Sequence, residues 1–390
     1  MKHIVVFNSG FLPAQTFGGP VVSINNIIQN LNTEFKFTII TSAFEIDGQT
    51  PLNPKIKVNE LNYFSENVEV LYLDKKHYHF QYVIKKMIGN KRIDLIYVNS
   101  FFNYSQLRLA RKIERYFKIP LIVAPRGELE PNALALKKIK KFSYLNIFKL
   151  LYKNDCNIYY QATTTEEKNN IKSLLNVSES KIIILENLPT KNSNEASILK
   201  NKEKDNLEIV FISRIQTKKN LSFALDILNK LNNKKLIIRF DIFGPIENVD
   251  YWENCLKKIQ ALPSNITVNY KGIVNHEQIF NTFSNYDLFF FPTLSENFGH
   301  VIYEALAANC PILISDQTPW TDVNEYNAGK AFNLDDSEKF IKYIEQLAIK
   351  DNEDYKIIRK SVKEYLQDKI NTKETVNTYL RIFKSIINRN

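Results

Sequence analysis

The chain has 390 residues, 44% of them hydrophobic, and a formal net charge of +10. This length exceeds what one hydrophobic core usually supports, so it predicts two domains of ordinary size. No apolar run reaches the roughly twenty residues of a membrane-spanning helix, and the short apolar run after Met1 leads directly into a strand, so we expect neither a transmembrane segment nor a signal peptide.

The first half of the chain alternates between strand and helix patterns. Helical periodicity is clear at 21–31 and 105–117. The predicted strands lie at 4–7, 37–41, 68–73, 95–98, 121–124 and 158–162, with a further apolar run at 182–185. Strands that alternate with helices predict a parallel, doubly wound sheet, and we assign residues 1–190 to this Rossmann-like domain.

A polar segment rich in Lys, Asn, Ser and Glu follows and predicts a linker at 191–205. The alternation then restarts, and residues 206–370 form a second predicted α/β domain. Its predicted strands are 208–212, 236–243, 266–270, 288–291 and 312–315. Helical patterns at 355–366 and 374–387 end the chain, and the last of them lies in a predicted C-terminal helix, 371–390.

The most informative segment runs from 287 to 316. Its opening residues, DLFFFPT, are an apolar run that ends at Pro292 and indicate a buried parallel strand. Apolar residues at helical spacing follow Gly299, so a helix begins there, and its free N–H groups and positive dipole end can hold a phosphate. Glu296 lies in the loop before this helix, and Glu304 lies one to two turns inside it. An isolated Glu at such a place is more often a surface charge, so the interpretation depends on the whole segment.

The string from Glu296 to Trp320 closely resembles the donor-site signature of the family 4 retaining glycosyltransferases, particularly those of bacterial surface-polysaccharide pathways. One position departs from it, because Asn309 stands where Gly is usual. Asn is the non-glycine residue that best adopts a left-handed helix cap, so the motif stays intact. The resemblance implies the GT-B arrangement, in which two Rossmann-like domains face a central cleft and a final helix returns to the first domain.

The resemblance also implies a nucleotide diphosphate sugar as donor. Glu296 would bind hydroxyls of the donor sugar, and Glu304 would bind the ribose. Backbone N–H groups of the motif would face the donor from Asn297, Phe298, Gly299 and His300.

Two cations follow the strand 208–212. Lys-rich loops are frequent in this chain, so the spacing of Arg214 and Lys219 alone allows two surface charges. With the resemblance, they match a loop that clamps the diphosphate. The departing nucleoside diphosphate develops negative charge, which fixed cations and helix N–H groups can stabilise. Since no Asp-x-Asp pair ends a strand, we expect an enzyme that needs neither a metal nor another cofactor.

Two glycine-containing loops resemble other parts of the donor site. Gly18 and Gly19 follow the first strand and match a family loop that approaches phosphate, although paired glycines are more often a plain turn. Ile273 and Val274 follow the strand 266–270 and resemble the segment that lines the base pocket.

Arg126 lies in a Pro-Arg-Gly sequence after the strand 121–124. Many family members have a His in this region that contacts the transferred sugar or helps catalysis. Arg cannot act as a base, but it can neutralise phosphate or bind sugar hydroxyls, so we include it among the candidate catalytic residues. The alternative is a surface Arg in a turn.

The basic charge belongs to the first half. Residues 1–191 carry 26 Lys and Arg against 16 Asp and Glu, and the rest of the chain carries 26 of each. The segment 134–153 contains six Lys and no acid, interleaved with apolar residues, and predicts a helix that lies on an anionic membrane surface. A packed helix with solvated lysines is the alternative. No nucleic-acid motif is present, so we do not expect a nucleic-acid partner.

The resemblance, together with these patterns, implies a retaining glycosyltransferase that moves a sugar to a hydroxyl of a saccharide acceptor, which we expect to be lipid-linked. No side chain is an obvious nucleophile, which favours attack from the front face. A sugar-nucleotide epimerase of the same fold and a binding protein without transfer activity remain the alternatives. Cys156, Cys255 and Cys310 lack metal-ligand spacing and predict reduced thiols in a cytoplasmic protein.

Overall fold

The computed structural model describes residues 1–88, 92–135, 138–152, 157–191, 201–231 and 233–389. The chain forms two compact units, Met1–Pro189 together with Thr372–Asn390, and Thr190–Asn371, which we call the first and second domain. Most of the predicted linker 191–205 lies outside the described residues, as does Cys156.

The first domain contains an eight-stranded sheet. Its strands are β1 (Lys2–Phe7), β2 (Phe35–Ser42), β3 (Leu61–Ser65), β4 (Val68–Leu73), β5 (Leu95–Val98), β6 (Leu121–Val123), β7 (Ile158–Ala162) and β8 (Ile182–Ile184). They lie in the order β3-β4-β2-β1-β5-β6-β7-β8. The pairs from β4 to β8 are parallel, as predicted, whereas β3 pairs with β4 in the antiparallel direction.

Helices cover both faces of this sheet. They are α1 (Gly19–Leu31), α2 (Phe80–Ile88), α3 (Tyr104–Phe117), α4 (Pro131–Ala135), α5 (Lys138–Tyr152) and α6 (Thr165–Leu175). Successive side chains of β1 belong to different hydrophobic clusters. Ile4 and Val6 belong to one cluster, and Val5 and Phe7 belong to another, so helices must cover each face of the sheet. Successive side chains of a strand point to opposite faces, so both faces of this strand are buried.

The C-terminal helix of the chain packs in the first domain. In chain order it is α13 (Thr372–Ile387), and its Tyr379 and Phe383 are buried in the same cluster as Phe35 and Tyr97. The Phe383 ring centroid lies 6.1 Å from that of Phe35 and 6.2 Å from that of Tyr97. The segment 372–390 therefore completes one face of the first sheet.

The second domain contains a six-stranded, all-parallel sheet. Its strands are β9 (Asn206–Ile212), β10 (Ile237–Phe243), β11 (Ile266–Tyr270), β12 (Leu288–Phe291), β13 (Ile312–Ser315) and β14 (Gly329–Phe332), in the order β11-β10-β9-β12-β13-β14. The helices are α7 (Leu221–Asn229), α8 (Val249–Gln260), α9 (Ile279–Ser284), α10 (His300–Ala307), α11 (Ser337–Ala348) and α12 (Asn352–Lys369). This strand order is that of a doubly wound nucleotide-binding sheet.

Two edge strands were not predicted. Every residue of β3 is partly exposed, and β14 has the sequence GKAF, so neither contains a continuous apolar run. Gly329 begins β14 because a Cβ there would lie 2.2 Å from the carbonyl oxygen of Ile312. The edge of the second sheet thus depends on a close backbone approach that hydrophobic periodicity does not report.

Each sheet reverses its strand order once near its middle. The reversal lies between β1 and β5 in the first domain and between β9 and β12 in the second. Ligands of open α/β sheets bind outside the carboxyl ends of the strands at this point. Within the described ranges, no helix is long and apolar enough to cross a bilayer.

Candidate active site

The loop after β12 is held by hydrogen bonds on two sides. The Thr293 hydroxyl donates to the carbonyl oxygen of Lys218 at 3.1 Å, and the Leu294 N–H donates to the same oxygen at 2.9 Å. Farther along, the Glu296 N–H donates to the carbonyl oxygen of Gln317 at 3.0 Å. These bonds fix the loop beside the turn that carries Lys219.

Lys219 and Glu296 form an ion pair at the carboxyl end of the second sheet. Their side chains are 12% and 15% exposed, so both charges face a largely desolvated environment. The Lys219 ammonium also lies 5.4 Å from the ring centroid of Phe291, the last residue of β12. Two of the predicted site residues, 77 positions apart in sequence, are therefore in direct contact.

Arg214 follows β9 and pairs with a different acid. Its Nη1 lies 3.0 Å from Oε2 of Glu247, which comes from the loop after β10. The two loops approach closely because Gly244 has a φ of 133° and a Cβ there would lie 1.9 Å from the carbonyl oxygen of Ser213. Glu247 was not predicted, since nothing in its local sequence indicates that its loop reaches Arg214.

The helix α10 begins at His300, four residues after Glu296 of the Lys219–Glu296 ion pair. Its N-cap is Gly299, with a φ of 76°, and glycine has no side chain to cap the first N–H groups of the helix. The Trp320 indole N–H donates to the Phe298 carbonyl oxygen at 2.5 Å, which fixes the residue before the cap. Asn297, Phe298 and His300 are partly exposed, and Gly299 is buried.

Glu304 lies one turn into α10 and is 6% exposed. It accepts a hydrogen bond from the Thr190 hydroxyl at 3.3 Å. Burial raises the pKa of its carboxyl to about 8, although this hydrogen bond acts in the opposite direction. The group is therefore mostly neutral at pH 7, which the sequence reasoning did not anticipate, and Thr190 was also missed.

The predicted base-pocket segment begins at Gly272, which has a left-handed backbone conformation. Gly272 has a φ of 75°, and its carbonyl oxygen accepts a hydrogen bond from the Gly244 N–H at 2.8 Å. After it, Ile273 is 42% exposed, while Val274 packs against the core of the domain. This segment thus adjoins the loop that carries Glu247.

In the first domain, Gly18 and Gly19 form the start of α1. Gly18 is the N-cap with a φ of 66°, and a Cβ at Gly19 would have no atom within 4 Å. Two buried amides that were not predicted support this loop, because Asn8 and Asn99 donate to the Pro20 carbonyl oxygen at 3.2 and 3.3 Å. They follow β1 and β5, the two strands at the reversal of the sheet.

The Arg126 guanidinium is bound to groups of its own domain. Nε donates to the Asn99 side chain at 3.0 Å and Nη2 to the Tyr97 hydroxyl at 2.7 Å, while Nη1 donates to the Asn187 side chain. The backbone at Arg126 is left-handed, with a φ of 54°. The structure therefore places this residue in a buried network at the carboxyl ends of β5 and β6, and not in a surface turn.

Comparisons with known proteins find relatives of this chain. Residues 193–365 match the family model described as "Glycosyl transferases group 1". The chain is 26% identical over 315 residues to the "Uncharacterized 41.2 kDa protein in cps region" of Klebsiella pneumoniae, covering 78% of this chain and 82% of the relative. It is 20% identical over 336 residues to the "Capsular polysaccharide biosynthesis glycosyltransferase CapH" of Staphylococcus aureus, covering 82% and 83%.

Solved structures share the fold over the whole chain. Sucrose-phosphate synthase from Thermosynechococcus elongatus superposes with a TM-score of 0.74 at 12% identity, covering 100% of both chains. HepE of Anabaena, solved in complex with UDP and glucose, superposes with a TM-score of 0.67 at 13% identity, covering 99% of this chain and 100% of the other.

Proposed function

Because residues 193–365 match the family model of the group 1 glycosyl transferases and the whole chain shares the GT-B fold, we propose that the protein is a retaining glycosyltransferase. In this proposal it transfers a sugar from a nucleoside diphosphate sugar to a hydroxyl of a saccharide. The observation that carries the proposal is the contact of Lys219 with Glu296 at the end of β12, directly before the N-terminus of α10.

The diphosphate of the donor would bind to fixed positive groups. Arg214 and Lys219 each face a carboxylate in the ligand-free domain, Glu247 and Glu296 respectively. A diphosphate carries more charge than one carboxylate and is the better partner for two cations and a helix N-terminus. As the leaving group departs, the same groups would stabilise its developing charge without a metal ion.

Glu296 would then bind the donor sugar. When the diphosphate engages Lys219, the Glu296 carboxylate loses part of its ion pair, and sugar hydroxyls can donate to its oxygens. Recognition of the sugar would thus follow recognition of the diphosphate. The order of these two events explains how one acid can serve both as a counter-ion and as a sugar ligand.

Glu304 and Thr190 would bind the ribose. A neutral carboxyl both donates and accepts hydrogen bonds, so it can pair with a ribose hydroxyl without a buried charge. Glu304 lies one turn into α10, and side chains of a helix lean towards its N-terminus, where Gly299 is the N-cap. We assign the base to the segment around Ile273 and Val274.

We assign the reaction to a front-face route. The site offers the Glu296 carboxylate, the Arg214 and Lys219 cations and backbone amides. In this proposal the leaving phosphate itself accepts the proton of the acceptor hydroxyl, while the new glycosidic bond forms on the face from which the phosphate departs. Retention of configuration follows from this geometry.

The names of the relatives support a place in capsular polysaccharide synthesis. We further propose a lipid-linked saccharide as the acceptor and the cytoplasm as the place of reaction. We propose that the first domain binds the acceptor and that the loop at Gly18 and Gly19 approaches a phosphate group, because a Cβ at Gly19 would have no atom within 4 Å. Arg126 would act there by holding Asn99 and Tyr97 in place.

The test combines nucleotide binding with turnover. Thermal shifts with UDP, GDP, ADP and dTDP identify the base, since a ligand of the folded state raises the melting temperature. The corresponding sugar nucleotides are then supplied with lipid-linked saccharides. We expect Glu296→Gln to lose transfer and keep nucleotide binding, whereas Glu247→Gln, a matched change at the other ion pair, keeps transfer.

The alternatives give different results. A sugar isomer formed from the donor alone would indicate an epimerase, and nucleotide binding without any turnover would indicate a binding protein. Full transfer activity in the Glu296→Gln variant would refute the role given to this residue.

A further inference from the structure

One helix of the first domain exposes apolar side chains to solvent. On α5, Ile139 and Leu150 are each 85% exposed, Leu151 is 57% and Ile147 is 56% exposed, and Phe142 is 39% exposed. The helix is nevertheless anchored, because Leu145 and Phe148 on its other side are 1% and 3% exposed and belong to the domain core. Apolar residues therefore lie on both sides of this helix.

The exposed residues form an ordered stripe. Ile139 and Leu150 are eleven positions apart, close to three helical turns, so they lie one above the other. The exposed polar residues Ser143 and Asn146 lie between them on the same face, and Phe142 and Ile147 flank it. The same spacing aligns Lys138 with Lys149 along one margin of the stripe. It also aligns Lys140 with Leu151 along the other margin, so a lysine borders the stripe on each side.

The lysines differ in their freedom to meet a partner. Lys138 and Lys140 are exposed. Lys141, in contrast, donates to the Ala133 carbonyl oxygen at 2.6 Å and lies 5.0 Å from the ring centroid of Phe102. Lys141 therefore belongs to the packing of the domain, while the side chains at the margins of the stripe can reach outward along their alkyl stems.

We propose that the solvent face of α5 docks in the headgroup region of an anionic lipid bilayer, with Ile139 and Leu150 entering the acyl boundary. Exposed Ile, Leu and Phe side chains bordered by lysines are the groups through which a helix can lie in a membrane interface, and Ser143 and Asn146 would meet the polar headgroups. Lys138, Lys140 and Lys149 would pair with anionic headgroups, and no acid in the segment 134–153 opposes them.

A second copy of the chain fits this face poorly. A symmetric pair would place the same lysine margins against each other. The stripe is also small, because a helix of 15 residues is about 22 Å long and about 10 Å wide, giving about 220 Å² against the roughly 800 Å² that each partner buries in a stable complex. A bilayer requires no matching surface of that size.

The test is co-sedimentation of the full chain with phosphatidylcholine vesicles that contain or lack phosphatidylglycerol. We expect binding to the anionic vesicles. The double variant Ile139→Gln with Leu150→Gln should weaken it about tenfold or more, because both apolar side chains lose their burial. The variant with Gln at Lys138, Lys140 and Lys149 should lose its preference for anionic vesicles. Ile357→Gln on α12, which is 61% exposed, is the matched control and should bind as the parent does.

Leu150→Trp gives a second measurement, which reports whether the side chain at this position enters an apolar environment. Its emission should shift to the blue when anionic vesicles are added, while Ile357→Trp should show no shift. Unchanged vesicle binding by the Ile139 and Leu150 double variant, or no shift from Leu150→Trp, would overturn the proposal. So would a parent dimer in analytical ultracentrifugation that this double variant converts to monomer.

Discussion

The buried carboxyl of Glu304 should make the second domain less stable as the pH rises. Its pKa in the folded chain is about 8, against an ordinary value of 4.5, because the side chain is 6% exposed. A folded pKa above the unfolded one means that the stabilising contribution is complete below about pH 4.5 and is lost as the pH rises through about 8. Glu304→Gln removes this titration, since an amide does not ionise.

The size of the effect follows from the two pKa values. At 1.36 kcal/mol per pKa unit, the interval from 4.5 to about 8 corresponds to about 5 kcal/mol in the free energy of unfolding. The free energy of unfolding of the Gln variant minus that of the parent should therefore rise by several kcal/mol between about pH 5 and about pH 9. Other titrating groups are common to both proteins and cancel in this difference.

The measurement is urea unfolding followed by tryptophan fluorescence. Both tryptophans of the chain, Trp252 and Trp320, are buried in the core of the second domain, so their emission reports the domain that contains Glu304. Thr190→Val is a useful companion, because it removes the hydrogen bond to the carboxyl but leaves the carboxyl able to ionise. If the parent and the Gln variant differ by the same free energy at both pH values, the carboxyl is not buried as described.

Three further changes test other parts of the site. Gly244→Ala should lower the free energy of unfolding by about 2 kcal/mol or more, measured by the same tryptophan signal, because its Cβ would collide with the Ser213 carbonyl oxygen; an unchanged value would mean that the loops are farther apart. Lys219→Met should weaken nucleoside diphosphate binding about 30-fold or more in calorimetry, while the exposed neighbour Lys218→Met should not, and equal losses would point to general charge attraction. Arg126→Lys should cost the first domain about 1–3 kcal/mol, because Lys lacks the planar fork, and hydrogen exchange of first-domain amides that stays as slow as in the parent would contradict this.

The strands of the two sheets could be predicted where they are fully buried. The run Leu288–Phe291 is apolar at every position, and the strand β12 has these bounds. The edge strands β3 and β14 escaped prediction because their residues are partly exposed or small, so neither forms a continuous apolar run. The other two edge strands, β8 and β11, were predicted because their sequences, III and ITVNY, are apolar or β-branched, so the local residue types decide whether a strand is visible in the sequence.

Some features of the site depend on one continuous segment of the sequence, and others depend on residues from distant loops. The turn at Gly299 and the position of Glu296 follow from a continuous segment, so the sequence alone indicated them. The partners of the charged groups come from other loops, Glu247 for Arg214 and Thr190 for Glu304. Which acid meets which cation depends on how two loops approach, and this approach depends on backbone contacts such as that at Gly244.

The two domains use the same topological position differently. In each sheet, polar side chains follow the two strands at the reversal: Asn8 and Asn99 in the first domain, Arg214 and Glu296 in the second. In the first domain the two amides bond to each other at 3.0 Å and to the Pro20 carbonyl oxygen.

In the second domain, Arg214 and Glu296 carry opposite charges. Arg214 forms an ion pair with Glu247, and Glu296 forms one with Lys219. Ion pairs between groups that are about one-tenth to one-third exposed can exchange one anion for another, while a closed amide network has its donors and acceptors already matched. This contrast is the physical reason for proposing that an anionic donor binds to the second domain and that the amides of the first domain have a supporting role.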